Sequence, residues 1–290
     1  MTAAPHGILA VCWGPEGGTK AALRPGEALT VGRGEAAGLR LAHDEALAEI
    51  HFEVRWDGRC GELVHRAGPR LTLLDGQAIE RSALGHGQWI RAGSSDLSFH
   101  IEALTPPQEQ RDSPTRAAAE RALAALRRDH GLVYALLDTA RAPRIHELLR
   151  ESIEPCRSLF EGTEGARLAE VAPHLVALAT GSRLCADLVR EGWGSRWGVW
   201  IVSDQPLVAV RRHLRKFTLV QLEAAPAPAY FRYYDPDVLR TYLDTCTPAE
   251  RAQWFGDVID EFIGEDVEVE DGWWQRPRAT PRVDAARSSK

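Results

Sequence analysis

Phe231-Arg232-Tyr233-Tyr234-Asp235-Pro236-Asp237-Val238-Leu239 joins a strand-like aromatic run to a helix start within nine residues. Successive side chains of a strand face opposite ways, so Phe231 and Tyr233 would share one face and Arg232 and Tyr234 the other. Asp235 suits an N-cap, because its carboxylate accepts the free amide hydrogens of a first helical turn, and Pro236 suits the position after it. Val238, Leu239, Tyr242, Leu243 and Cys246 then recur at helical spacing, which predicts a helix lying back on the sheet that the strand belongs to. One strand face can pack while the other presents chemistry, which makes Arg232 and Tyr234 candidate binding residues. A corner that only holds a core together would use the same residues.

Around this corner the second half of the chain alternates. Buried-type strands are predicted over Leu132 to Asp138, Trp197 to Ser203, Phe217 to Glu223 and Ala229 to Asp235. Helices are predicted over Pro143 to Ser152, over Leu168 to Ala179 with a break or start near Pro173, over Arg183 to Glu191 and over Pro206 to Lys216. Thr247-Pro248-Ala249-Glu250 reads as a capping box opening a further helix through Trp254 and Val258. This is a mixed α/β pattern. The first half reads instead as short strands divided by Gly-containing turns, from Ile8 to Trp13 onwards to Leu97 to Ala103, which indicates an all-β sandwich or barrel. Thr105-Pro106-Pro107 and the polar stretch after it suit a linker, since prolines stop both ladder pairing and helix propagation. The expected organisation is therefore multidomain. A β-sandwich fills residues 1–104, a linker 105–113 and an α/β domain 114–274, with an alanine-rich leading helix over Thr115 to Arg128. Residues 275–290, with little to bury, are expected to form a disordered tail.

The bulk numbers restrict the class. With 44% hydrophobic and 26% charged residues the chain has the balance of a soluble globular protein. A net charge of -6 gives no whole-protein field that would draw in nucleic acid. Five cysteines, odd in number and never in a C-x-x-C pair, indicate neither a disulfide framework nor a zinc ribbon, and a reducing cytoplasm fits them. No leader pattern or bilayer-length apolar run is present, so no membrane partner is expected. Gly32 to Ala37 fits a G-x-G-x-x-A string, but a second strand-like run follows too closely for the helix a dinucleotide site needs. No G-x-S-x-G elbow, P-loop or H-E-x-x-H occurs, and Asp138, Asp235 and His213 name no complete set of nucleophile, base and orienting group. A non-enzymatic protein without cofactor or metal is expected.

Val31-Gly32-Arg33, then Ala48-Glu49-Ile50-His51-Phe52-Glu53-Val54, then Leu73-Leu74-Asp75-Gly76 and Leu97-Ser98-Phe99 follow one another in an order that resembles a forkhead-associated (FHA) domain over about residues 8 to 103. The resemblance implies a β-sandwich whose loops bind phosphothreonine. Arg33 stands where the family keeps a loop arginine and His51 where it keeps a structural histidine. The family's serine and second arginine are replaced by Ala48 and Glu49, and its Asn-Gly-Thr segment by Arg70-Leu71-Thr72. Arg33, Arg70 and Thr72 are thus the candidate phosphopeptide residues, with an anionic Glu49 that would oppose a phosphate.

In the second half, Leu136-Leu137-Asp138, Ser158-Leu159-Phe160-Glu161-Gly162-Thr163, Ala172-Pro173-His174-Leu175-Val176, Trp197-Gly198, Phe231 to Leu239 and Trp254-Phe255-Gly256 stand in an order that resembles domain-of-unknown-function family 4123, over roughly residues 130 to 260. The resemblance implies an adaptor, or chaperone, that holds a type VI secretion effector in the cytoplasm and loads it onto the VgrG spike. An effector and VgrG are the partners it implies. A phosphothreonine-dependent signalling adaptor, with a phosphothreonine protein as partner, is the alternative that the FHA resemblance implies. Beside Arg232 and Tyr234, the candidate partner contacts are Arg211, Arg212 and Arg215 of the basic cluster Arg211, Arg212, His213, Arg215 and Lys216, and the pair Trp273 and Trp274, expected to be exposed beside an acidic run. A solvated helix face is the ordinary explanation of the basic cluster.

Overall fold

The computed structural model describes residues 4–12, 16–67, 71–108, 113–127, 132–162, 165, 168, 171–179, 181–221, 227–266 and 272–279. Contacts divide the chain into two units. The first is Met1–Pro106 with His146–Arg157 and Gly162–Arg167, and the second is Pro107–Ile145, Ser158–Glu161 and Leu168–Lys290.

In the first unit, β1 (Gly7–Val11), β2 (Lys20–Leu23), β7 (Thr72–Leu74), β8 (Gln77–Ile79), β10 (Trp89–Ala92) and β11 (Ser95–Ile101) form a sheet of order β2-β1-β11-β10-β7-β8. β3 (Ala28–Gly32), β4 (Leu39–Arg40), β5 (Phe52–Trp56), β6 (Gly61–His65) and β9 (Arg81–Leu84) form the second sheet, ordered β4-β3-β5-β6-β9. Both contribute to one core. Leu9, Ile90, Leu97 and Phe99 of the first sheet pack with Val31, Phe52, Val54, Trp56 and Leu63 of the second, and the Trp56 and Phe99 rings lie 5.7 Å apart. Burying such side chains contributes roughly 1.5–3 kcal/mol each before the chain entropy is subtracted. The expected sandwich is present with more strands than the sequence suggests. β2, β8 and β9 are short and half-exposed, so they lack the apolar alternation by which a strand is read.

The second unit is built on the strand order β14-β12-β15-β18-β19, from β12 (Leu132–Asp138), β14 (Pro173–Leu178), β15 (Gly198–Ser203), β18 (Glu261–Glu265) and β19 (Trp273–Pro277), while of β13 (Cys156–Ser158) only Ser158 falls in this unit. β14 and β15 flank β12 antiparallel, and β15, β18 and β19 continue antiparallel. Tyr134, Leu136, Leu175, Val199 and Ile201 pack under α4 (Leu207–Leu214), α5 (Pro236–Thr245) and α6 (Pro248–Phe255), where Val210, Leu214, Leu239, Leu243, Trp254 and Phe255 complete one core. The alternate positions Ala135, Leu137, Val176, Trp200 and Val202 are buried as well, so both faces of the sheet are covered. α1 (Ser113–Leu126) packs on α3 (Arg183–Gly192), and α2 (Pro143–Arg150) follows β12.

Several expectations are corrected. The predicted helix Leu168 to Ala179 is strand β14 over Pro173–Leu178, because a short continuous apolar run cannot be told from a helix by its period and Pro173 is tolerated as a first strand residue. The strand predicted over Ala229 to Asp235 ends at Tyr230 in β17 (Ala229–Tyr230), which pairs with β16 (Leu219–Val220) in a separate ribbon. Phe231 to Asp235 turns instead, with the Asp235 amide donating to the Arg232 carbonyl at 3.0 Å, and Tyr233 and Tyr234 are both buried. Gln275–Pro277, placed in the expected tail, belong to β19 and pair with Glu261–Ile263.

Candidate interaction site

The turn Arg232 to Asp235 meets the end of β12. Asp138 closes that strand with its side chain only 1% exposed, and its amide donates to the Trp197 carbonyl at 2.8 Å. A carboxylate removed from water needs charged or polar partners. Arg232 supplies one through Nη2, Arg141 approaches with Nε at 3.5 Å, and the Ala140 amide donates at 3.3 Å. Arg141 also reaches across to Asp235 through Nη2. Asp235 Oδ1 meanwhile accepts the Asp237 amide at 3.0 Å, which is the N-cap of α5 that the sequence predicts. Arg141 therefore couples the two aspartates, and Arg232 covers Asp138 from outside with half of its own side chain (50%) in solvent. The hydrogen bond to Asp138 raises the Arg232 pKa above the ordinary arginine value. Arg232 Cζ sits 5.9 Å from the centre of the Tyr234 ring, whose phenol is pushed up chiefly by burial and further by the Asp138 charge. Two carboxylates and two guanidiniums neutralise one another, leaving an anchored cationic head at the surface with donors to spare for a partner's carbonyl or carboxylate.

Arg141 links Asp138 and Asp235, but His213 is not with them. It is buried, donates from Nε2 to the Trp254 carbonyl at 2.7 Å, and burial lowers its pKa. In the basic cluster, Arg211 Nε donates to the Ser158 carbonyl at 2.6 Å and Arg215 Nε to the Leu159 carbonyl at 2.9 Å. Both guanidiniums also hold Glu161, while Arg212 is exposed. Of the tryptophan pair expected to be exposed, Trp273 is half-buried and Trp274 lies in the core of the second unit. The reason is that β19 continues the sheet instead of running out into a tail. Arg141 was not singled out from sequence. The only local signal for it is its spacing three residues after Asp138.

In the sandwich, Arg33 is half-exposed and pairs through Nη2 with Glu49 at 3.2 Å. Thr72 is buried, its Oγ1 3.1 Å from His65 Nδ1, and so serves the interior. Arg70 lies outside the described residues. His51 is buried, with Nδ1 accepting the Ala48 amide at 3.2 Å, and burial followed by the neighbouring His65 lowers its pKa. Among the described residues no group of three or more His, Cys, Asp or Glu side chains is placed to hold a metal ion, and no helix is long and apolar enough to cross a membrane.

Residues 133–253 match the model of a domain of unknown function, DUF4123, and this span contains Asp138, Arg141, Arg232 and Asp235. This part of the chain is a DUF4123 domain. It starts in β12 and runs into α6, so the charge network lies wholly within it. Among solved structures, the chain is similar to the FHA domain of FhaA complexed with the intracellular domain of Rv3910, at 28% identity over 32% of this chain and 99% of that one, with a TM-score of 0.30. It is also similar to the FHA domain of the CT664 protein from Chlamydia trachomatis, at 18% identity over 33% of this chain and 96% of that one, with a TM-score of 0.31. Mycobacterium tuberculosis Rv1747 FHA-1 matches at 20% identity over 34% and 98%, with a TM-score of 0.30. No curated protein matches the chain.

Proposed function

We propose that the protein is a non-enzymatic adaptor that binds a type VI secretion effector in the cytoplasm and loads it onto the VgrG spike. The observation that carries this reading is the DUF4123 domain over residues 133–253, whose ordered segments resemble the adaptor family. The charge network supports it. A half-exposed Arg232 whose position is fixed by a buried Asp138 is a preorganised cation, which reduces the entropy lost when a partner's acceptor is bound.

In the sandwich, the Arg33–Glu49 pair weighs against phosphothreonine recognition, since a phosphate approaching Arg33 would meet a carboxylate first. On this reading the sandwich is a protein-binding module that does not need a phosphate. The test is co-purification from the native cell. The tagged chain should retain one secreted effector and VgrG, and deleting its gene should stop delivery of that effector alone. Loss of all secretion would instead assign the chain to the machine itself. Threonine-phosphorylated peptides titrated against wild type and Arg33→Ala should show no phosphate-dependent binding to either. Binding to wild type that Arg33→Ala abolishes would establish the signalling role.

A further inference from the structure

The β16–β17 ribbon stands apart from the sheet of its unit, and among the described residues each of its strands has only the other as ladder partner. Leu219 and Tyr230 lie directly opposite each other in its register and are 51% and 49% exposed. Residues paired in this way point to one face, so an apolar pair is held in solvent on a ribbon that buries little. Phe160 extends the patch, its ring 4.7 Å from that of Tyr230.

Phe160 is placed by the basic face of α4. Arg211 and Arg215 hold the carbonyls of Ser158 and Leu159, on the two residues before it, and the carboxylate of Glu161 after it. Burial alone would raise the Glu161 carboxyl, but the Arg211 hydrogen bond and the charges of both arginines outweigh it and hold the pKa low. One carboxylate thus faces two guanidiniums, and Arg212 and Lys216, exposed on the same stretch of chain, add two more cations. Val208, 74% exposed and one turn before Arg212, brings a further apolar side chain to this helix. On a protein of net charge -6, a helical stretch that exposes Arg212 and Lys216 is a local reversal of sign, which orients an acidic partner.

We propose that this surface docks an extended polypeptide segment in which apolar and acidic side chains alternate. Its main chain pairs with an open ribbon edge, its apolar side chains cover Leu219, Tyr230 and Phe160, and its carboxylates face Arg212 and Lys216. The inference rests on the adaptor reading and gives that adaptor a dock.

The test uses the full chain and a fluorescein-labelled synthetic peptide of alternating leucine and glutamate, read by fluorescence anisotropy. Its controls replace glutamate by lysine or leucine by serine. The leucine–glutamate peptide should bind and weaken with salt, and neither control should bind. The Leu219→Ser/Tyr230→Ser variant should lose about tenfold or more in affinity, and Arg212→Glu/Lys216→Glu should lose binding together with its salt dependence. All four side chains are exposed or half-exposed, so both variants should melt as wild type does. If one does not, the single changes Tyr230→Ser and Arg212→Glu replace it. Equal binding of the lysine peptide, wild-type affinity in the charge-reversed variant, or no binding of the leucine–glutamate peptide overturns the proposal. The same variants are then carried through effector co-purification. Full effector retention by variants that have lost the peptide overturns the dock and leaves the adaptor reading standing. A wild type that binds the peptide but retains neither effector nor VgrG overturns the adaptor reading alone.

Discussion

Glu265 closes β18 as a buried carboxyl. Oε2 accepts the Gly194 amide, whereas Oε1 has no partner among the described residues. Burial is the largest influence on it and disfavours the charged form. The amides of Gly194 and Arg196 oppose that effect, the charge of Asp237 adds to it, and the pKa is pushed up to about 7 from an ordinary value of 4.5. At about 1.36 kcal/mol per pKa unit, this difference corresponds to about 3 kcal/mol between the protonated and ionised folded protein. The sign follows from proton binding. Between 4.5 and about 7 the folded chain holds a proton that the unfolded chain has lost. The stability that this proton contributes is fully present below 4.5 and is gone once the pH has risen through about 7. Glu265→Gln keeps an acceptor for Gly194 and carries no charge, so it should match wild type below about pH 5 and exceed it by about 2–3 kcal/mol above about pH 8. Urea unfolding followed by tryptophan fluorescence gives both values. Taking the difference between the two proteins removes the opposite slopes of paired carboxylates such as Glu53 and Asp244, whose pKa values are lowered. A difference that does not change with pH, or a variant less stable than wild type at the alkaline end, would refute the reasoning.

Arg232→Ala removes the outer partner of Asp138 but leaves Arg141, and the half-exposed arginine is screened by water, so a loss of about 1–2 kcal/mol is expected in chemical denaturation; an unchanged midpoint would show that Asp138 does not depend on it. Gly198→Ala places a Cβ against the Leu136 carbonyl oxygen on the neighbouring strand, closer than a side-chain carbon can approach backbone. Backbone must then move, and a loss of about 3 kcal/mol or an insoluble product is expected from expression and melting tests. Thr247→Ala removes the cap of α6, whose Oγ1 accepts the Glu250 amide at 3.3 Å, and should cost about 1 kcal/mol in thermal unfolding.

What the sequence makes legible follows the range of the forces involved. The α5 and α6 caps are readable because donor, acceptor and proline lie within four residues, and both form as expected. β14 is not readable, because its character comes from pairing with β12, whose partner residues lie 35 or more positions away in the chain. The turn after Tyr230 is hidden for a related reason. Its aromatic residues suit a strand locally, but Tyr233 is fully buried with its hydroxyl donating to the Leu214 carbonyl at 2.7 Å, and Tyr234 is buried beside Arg232. Tertiary packing overrides the local preference there.

For the interaction surface the limit is sharper, because exposure is what remains after the fold has used its charges. Arg232 is visible in the sequence as a cation, but its partner Asp138 is 94 positions away, and so is the Asp235 that Arg141 reaches. In the basic cluster, helical spacing groups Arg211 with Arg215 and Arg212 with Lys216, each pair separated by four residues. That grouping can be read from sequence, but which pair faces inward cannot. The choice falls to Ser158–Glu161, two carbonyls and one carboxylate some fifty residues earlier, which take up Arg211 and Arg215. A cluster that reads as one basic patch is therefore two devices: one pair builds the surface that carries Phe160, and the other is left facing outward to meet a partner.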